Sequence, residues 1–101
     1  MKKILILVLS SQNEPYAKMV ETSEKTWDSV NVEGVETVYY FGRPVKENSG
    51  NKIYFDLYED YHTLGYKMLG AFEWALANKE FDYIVRVNAS TFVRKKVLLD
   101  Y

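Results

Sequence analysis

Residues 81–93 read FDYIVRVNASTFV, and this stretch predicts how the chain is organised. Residues 83–87 are apolar except for Arg86, and their valine and isoleucine side chains favour a buried, central strand. Small polar residues follow, with Asn88 and Ser90 on either side of Ala89. In open α/β sheets, ligands bind at the carboxyl ends of the strands. We therefore expect the functional site of this chain where residues 88–90 leave the sheet.

The composition indicates one small domain with a core. The chain has 101 residues, of which 48% are hydrophobic. Its formal net charge of −1, from 13 basic and 14 acidic residues, lacks the basic surplus of a nucleic-acid-binding surface, so we expect no nucleic-acid partner. The absence of cysteine excludes disulfides and thiolate metal sites, and a single histidine cannot form a histidine-rich zinc site.

The first apolar run covers residues 4–9 and is followed at once by polar residues 10–14. It is too short to span a membrane and short for the apolar region of a signal peptide. We therefore expect a cytoplasmic protein without a membrane segment. An uninterrupted apolar run of this length is typical of a strand covered on both faces, as in a parallel sheet.

Strand and helix patterns alternate along the rest of the chain. Strands are predicted at residues 4–9, 36–41 and 82–88, with a short extended piece at 53–55 and a last helical turn within 94–99. Helices are predicted from about 15 to 29 and from Asp56 or Asp60 to about 78. This alternation predicts a single α/β domain over residues 1–101, with a Rossmann-like three-layer α/β/α architecture and a mostly parallel sheet.

Both helices carry a predicted buried stripe. In the first, Asn13 or Glu14 would cap a helix that begins at Pro15, and the stripe is Tyr16, Met19, Val20, Ser23, Trp27 and Val30. In the second, the stripe is Tyr61, Leu64, Met68, Phe72 and Ala75 or Leu76. Gly65 and Gly70 weaken the second helix and suggest close packing there.

Polar side chains follow the first strand at Ser10, Ser11 and Gln12, and parallel pairing would bring them to the same sheet edge as Asn88 and Ser90. Hydroxyl and amide groups suit a base or a ribose. The alternative is that Ser10 and Ser11 only form a turn and cap the helix. The chain contains neither G-x-G-x-x-G nor G-x-x-x-x-G-K-[ST], which disfavours a dinucleotide site of the usual type and excludes a P-loop.

Three charged residues are further candidates. On the second helix, Lys67 could reach a diphosphate, and Asp60 could orient a sugar hydroxyl or a basic group, although both also fit a solvated helix edge. Arg86 would need a carboxylate such as Asp60, or a ligand phosphate, if it is buried. If its strand lies at an edge of the sheet, Arg86 is only solvated.

Together, residues 56–69 (DLYEDYHTLGYKML), 72–75 (FEWA) and 81–93 resemble the donor-binding half of a GT-A glycosyltransferase of the β-1,3-galactosyltransferase and fringe type. That family has Asp/Glu-x-Tyr-x-x-Leu-x-x-Lys on a helix, an aromatic-rich continuation, and a strand that leads into Asp-x-Asp. The resemblance covers roughly residues 3–100 and is most specific over 56–93.

The resemblance implies a nucleoside-diphosphate sugar as donor, usually UDP-linked, a divalent cation (Mn²⁺ or Mg²⁺) on the Asp-x-Asp motif, and transfer with inversion to an acceptor hydroxyl, such as one on a glycan. It assigns the base-binding end to residues 10–12 and the helix lysine to Lys67. Asn88 and Ser90 stand where the family has its two aspartates. Asn88 could still bind ribose or the donor sugar, whereas Ser90 would be a weak metal ligand at most.

In that family the catalytic base and the acceptor groove follow this region. The resemblance therefore implies the N-terminal part of a larger glycosyltransferase domain, completed by a C-terminal half or by a homodimer partner, and it leaves the catalytic residues unassigned. The alternative is a non-catalytic α/β module that binds a nucleotide or a partner chain through a degenerate site. A flavodoxin-like or receiver-like domain is disfavoured, because a receiver needs an acidic cluster where this chain has Ser10 and Ser11.

Overall fold

The computed structural model describes residues 2–58, 64–98 and 100. Four strands form one parallel sheet in the order β3-β2-β1-β4. The predicted α/β fold with a parallel sheet is confirmed at this level, and the extended piece near residue 53 becomes a fourth strand. The elements in chain order are β1 (Ile4–Leu9), α1 (Tyr16–Lys25), a 3₁₀ turn (Trp27–Ser29), β2 (Val35–Phe41), β3 (Lys52–Tyr54), α2 (Leu64–Asn78), β4 (Tyr83–Asn88) and α3 (Lys95–Leu98).

Strand β1 is paired with β2 along one edge and with β4 along the other, over the same six residues. Its side chains alternate between the two faces of the sheet. One set, which includes Ile6, packs with Val20 and Trp27, and the other set, which includes Leu7, packs with Ala71 and Ala75. Because α1 covers one face of β1 and α2 covers the other, apolar side chains on both faces of the strand pack in the core, which explains the uninterrupted apolar run.

Strand β4 corrects the prediction of a buried central strand at residues 82–88. In the described sheet β4 lies at an edge, and β1 and β2 are the internal strands. Tyr83, Arg86 and Asn88 are exposed, while Ile84, Val85 and Val87 are only half-buried. An edge strand has a neighbour on one side only, so its side chains keep contact with solvent. Arg86 is therefore solvated, as the edge-strand alternative predicted.

The first helix is shorter than predicted, because α1 ends at Lys25 and the chain continues as a 3₁₀ turn. The hydroxyls of Thr22 and Thr26 each donate to the carbonyl four residues earlier, at 3.0 and 2.7 Å. Such bonds compete with the helical backbone, and the backbone of Thr26 leaves the helical region.

At its start, Pro15 precedes α1 without a side-chain capping bond, so the predicted cap at Asn13 or Glu14 is wrong. The predicted stripe is buried at Val20, Ser23 and Trp27, but Tyr16 and Val30 are exposed.

The buried side of α2 also differs from the predicted stripe. Ala75 is buried as predicted, together with Lys67 and Ala71, which were not in the stripe. Of the other predicted residues, Met68 and Phe72 are half-buried, and Leu64 and Leu76 are exposed. The small alanine side chains let the helix axis approach the sheet, and the bulkier residues lie on either side of them. The helix ends at Asn78 as predicted, and Asp56 lies before it. A start at Asp60 and the stripe residue Tyr61 lie outside the described residues.

A buried ionic network ties α3 to the first half of the chain. The Lys95 ammonium lies 2.8 Å from Asp28 Oδ1, and these side chains are 5% and 10% exposed. The Tyr39 hydroxyl donates to Asp28 Oδ2 at 2.6 Å. Burial raises the pKa of Tyr39, and its bond to the Asp28 carboxylate raises it further. Lys95 also donates to the main-chain carbonyls of Asp28 and Val30, so α3, β2 and the 3₁₀ turn share one polar centre.

None of the helices in the described part of the chain is long and apolar enough to cross a membrane.

The two glycines of α2 form a matched pair for a stability test. A Cβ at Gly70 would lie 3.2 Å from a ring carbon of Phe55, whereas a Cβ at Gly65 would meet nothing within 4 Å. We expect Gly65→Ala to raise the free energy of unfolding by about 0.5–1 kcal/mol, since alanine loses less backbone entropy in a helix. Gly70→Ala should give no such gain, because Phe55 must move. Urea unfolding of both variants checks this, and an equal gain at the two positions would contradict it.

We expect Lys95→Met to lower the free energy of unfolding by about 3–5 kcal/mol, because it leaves the Asp28 carboxylate buried beside an apolar chain. Lys25→Met is the control: Lys25 is paired with Glu21 on the exposed side of α1, and such pairs contribute little. The comparison uses urea unfolding at neutral pH. Equal small losses for the two variants would show that the buried network does not hold α3 in place.

Candidate functional site

A cavity of about 500 Å³ opens where β1 and β4 end. The two strands finish in register, with Leu9 paired to Asn88. The chain winds from β1 to β2 to β3 in one direction and then returns to place β4 on the other side of β1. Ligands of open α/β sheets bind at such reversal points. The described residues that line the cavity are Leu9, Ser10, Ser11, Asn13, Tyr16, Leu64, Lys67, Asn88, Ala89 and Ser90.

Main-chain hydrogen bonds fix the floor of this cavity. The amide of Ala89 donates to the Leu9 carbonyl at 3.1 Å, and the amide of Ser10 donates to the Tyr40 carbonyl at 3.0 Å. These bonds continue the sheet by one residue past β1 and β4. The Ser10 hydroxyl donates to the Val8 carbonyl at 3.0 Å and can still accept a bond from a ligand. The sheet therefore holds the backbone of Ser10 and Ala89 in place at the floor of the cavity.

Lys67 supplies a positive charge to the cavity from α2. The residue is only 2% exposed, and its ammonium donates to the Ser10 carbonyl at 2.6 Å. Burying an ammonium is costly, so a buried lysine that also lines a cavity is a candidate functional group. No carboxylate is among the described residues that line the cavity. This lining suits an anionic group that also accepts hydrogen bonds.

Five of the residues singled out from the sequence meet at the cavity, namely Ser10, Ser11, Lys67, Asn88 and Ser90. Gln12 does not, because its amide donates to the carbonyls of Gly42 and Pro44 at 3.0 and 2.7 Å. The Ser11 hydroxyl accepts a bond from the Asn13 amide at 3.1 Å, so Ser11 has the turn role that was its alternative.

Arg86 and Asp60 are not part of the described lining. Arg86 is exposed on β4, near the hydroxyl of Tyr40. Burial raises the pKa of Tyr40, and the positive charge of Arg86 opposes that rise. Asp60 lies outside the described residues. The contact between Arg86 and Asp60 was expected only for a buried Arg86, and Arg86 is exposed.

Sequence reasoning missed Asn13, Tyr16 and Leu64, which also line the cavity. Tyr16 was assigned to the core stripe of α1, but its side chain is 50% exposed. Its position gave a usable signal: the first residue of a helix that follows β1 must lie at the carboxyl edge of the sheet. Leu64, assigned to the core stripe of α2, lies at this edge for the corresponding reason, just before Lys67.

The cavity is a poor match for the divalent cation that the resemblance implies. Asn88 and Ser90 offer only neutral oxygens, whereas Mg²⁺ and Mn²⁺ favour carboxylates. In the described part of the chain, no group of three or more histidine, cysteine, aspartate or glutamate residues could hold a metal ion. The ammonium of Lys67 would also repel a cation in the same space. The described lining thus offers neutral oxygens and one ammonium where such a cation would need carboxylates.

No protein-family model matches the chain, and comparisons with curated proteins and with solved structures gave no match either.

The buried ammonium predicts that an anion stabilises the folded chain. We expect pyrophosphate to raise the midpoint of thermal unfolding of the natural sequence, by mass action on the folded state. At a hundredfold excess over its dissociation constant, a ligand adds about 2.7 kcal/mol of stability. Lys67→Met should abolish the response.

The control for this experiment is Lys18→Met, since Lys18 is an exposed lysine of α1 that does not line the cavity. Differential scanning fluorimetry at constant ionic strength gives the readout. A pyrophosphate response that survives in Lys67→Met would place the anion elsewhere on the surface.

Proposed function

We propose that the chain binds a nucleoside-diphosphate sugar and forms the donor-binding part of a glycosyltransferase of GT-A type, with a Rossmann-like sheet. The observation that supports this is the cavity at the β1/β4 strand ends. It joins a buried lysine to the hydroxyl and amide groups of Ser10, Asn88 and Ser90 at the reversal point of a parallel sheet. The resemblance assigns these residues to the donor, together with Ser11 and Gln12.

In the proposed reaction the bond between the anomeric carbon and the diphosphate oxygen breaks as an acceptor hydroxyl oxygen attacks from the opposite side. Negative charge then develops on the departing diphosphate, and the Lys67 ammonium is the group in the cavity that would stabilise it. Asn88 and Ser90 would orient the ribose or the donor sugar by hydrogen bonds. The proton of the acceptor hydroxyl needs a base, and we assign none.

A second candidate is a module that binds the nucleotide without turnover. The observation that favours it is the lack of a carboxylate or histidine among the described residues that line the cavity. Nothing in that lining could accept the proton of an acceptor hydroxyl. The two candidates share the ligand and differ in whether the sugar is transferred.

Isothermal titration of UDP, GDP and dTDP, each with Mn²⁺ and with EDTA, tests the shared part of both candidates. We expect one nucleotide to bind, and we expect EDTA to change its affinity little, because the charge comes from Lys67. Lys67→Met should weaken this binding and Lys18→Met should not. If no nucleotide binds to a chain whose circular dichroism shows it folded, the donor site is refuted. A requirement for Mn²⁺ would refute the role given to Lys67.

Release of the nucleotide from its UDP-, GDP- or dTDP-linked sugar, measured with and without a glycan acceptor, separates the two candidates. Acceptor-dependent release supports a transferase. Binding without release is expected both of the non-catalytic module and of a donor-binding part that lacks the acceptor groove, so acceptor-dependent release is the outcome that decides between them.

A further inference from the structure

We propose that the ring of Tyr16 is the platform on which the nucleotide base stacks, while the diphosphate lies at Lys67. This inference rests on the proposed function, because it takes the ligand to be a nucleotide. It adds a residue that determines how the ligand is oriented in the cavity.

The cavity has two different sides. Tyr16 is the first residue of α1, which covers the face of the sheet that includes Ile6, and Lys67 belongs to α2, which covers the opposite face. The ends of β1 and β4 lie between these two helices. A ligand in this cavity therefore lies between Tyr16 of one helix and the buried Lys67 of the other.

Among the described residues that line the cavity, Tyr16 alone is aromatic. Its side chain is 50% exposed although α1 packs against the sheet. Exposed aromatic surface inside a cavity is available to a flat ring, and stacking of a base on such a ring stabilises the complex whatever the base.

The hydrogen bonds made by residues 10–12 also favour Tyr16 as the residue that binds the base. The resemblance gives residues 10–12 to the base, but the Gln12 amide bonds the carbonyls of Gly42 and Pro44. The hydroxyl of Ser10 bonds the Val8 carbonyl, and the hydroxyl of Ser11 accepts from Asn13. The hydrogen-bonding groups of this segment are thus largely used inside the protein. Tyr16 offers what they do not, a broad face for the base.

The test compares four probes on the natural sequence and on Tyr16→Ala by isothermal titration: UDP, uridine, UDP-glucose and pyrophosphate. If GDP or dTDP binds more tightly than UDP in the titration of the three nucleotides, that nucleotide replaces UDP. Its nucleoside and its glucose conjugate then replace uridine and UDP-glucose. We expect Tyr16→Ala to weaken nucleotide and nucleoside by the same factor, roughly 5- to 100-fold, the usual effect of losing one base–aromatic stack. Pyrophosphate binding should be unchanged. Lys67→Met should show the opposite pattern, with a larger loss for the nucleotide than for the nucleoside.

Two control variants accompany it. Tyr16→Phe keeps the ring and should keep the affinity. Tyr66→Ala removes a tyrosine that is 70% exposed on α2 and does not line the cavity, and it should change nothing. Because Tyr16 is half exposed, Tyr16→Ala is expected to fold, and its thermal unfolding is measured alongside.

The outcomes are distinct. If the natural sequence binds a nucleotide and Tyr16→Ala binds it equally well, the base platform is refuted while the proposed function stands. If Tyr16→Ala lowers the affinity for UDP-glucose but leaves the affinities for UDP and uridine unchanged, the ring holds the sugar and the base platform is refuted. If the folded natural sequence binds pyrophosphate but no nucleotide, both proposals fail.

Discussion

The structure depends on one constraint: β1 is hydrogen-bonded along both edges and covered on both faces. Its register aligns Leu9 with Tyr40 on one side and with Asn88 on the other. The neighbouring strands therefore reach the carboxyl edge of the sheet at the same level as β1. The cavity follows from this alignment, because Ser10 and Ala89 leave the sheet side by side and α1 and α2 begin next to them. A slip of one residue in β1 would exchange its two apolar sets between the faces and dismantle the cavity at the same time.

Two buried lysines show how the same side chain serves different ends. Lys95 lies against the Asp28 carboxylate and joins three elements, and it is not among the described residues that line the cavity. Lys67 bonds the main-chain carbonyl of Ser10 and forms part of a cavity wall. Burial is nearly equal, at 6% and 2% exposed. What separates the two sites in the described part of the chain is that Lys67 lines a cavity, whereas Lys95 lies against a carboxylate.

The sequence predicted the elements whose signal is local. The apolar run of β1, the β-branched and aromatic run of β2, the end of α2 and the last helical turn were all placed within a residue or two. The strand ends that form the cavity were also predicted, because parallel strands share their carboxyl edge. The order of the strands was not, since the apolar residues of β4 do not reveal that it has one neighbour in the described sheet. Ala75 was part of the predicted stripe of α2, but Lys67 and Ala71 were not. Periodicity favours large apolar residues, whereas packing against the sheet buries the small Ala71 and Ala75.

The hydrogen-bond partners of individual side chains were the least predictable feature. Gln12 and Ser11 are the same kind of residue as Asn88 and Ser90, but loop carbonyls and a neighbouring amide engage the first two. Whether such a side chain bonds to the protein itself depends on the paths of the loops, and the periodic pattern of the sequence does not predict those paths. The expected parallel sheet follows from the alternation of strand and helix patterns along the chain. The expectation of a GT-A family depends instead on particular side chains at the strand ends.

The Ser10 group that accepts from the Lys67 ammonium is a main-chain atom, and this has a consequence for the design of variants. A carbonyl oxygen is present at position 10 whatever the side chain there, so this bond of the ammonium does not depend on serine. The charge of the cavity and its polar lining are thus separable properties. A library that varies positions 10, 11, 88 and 90 and keeps Lys67 would sample new ligand specificities on a scaffold that retains its positive charge.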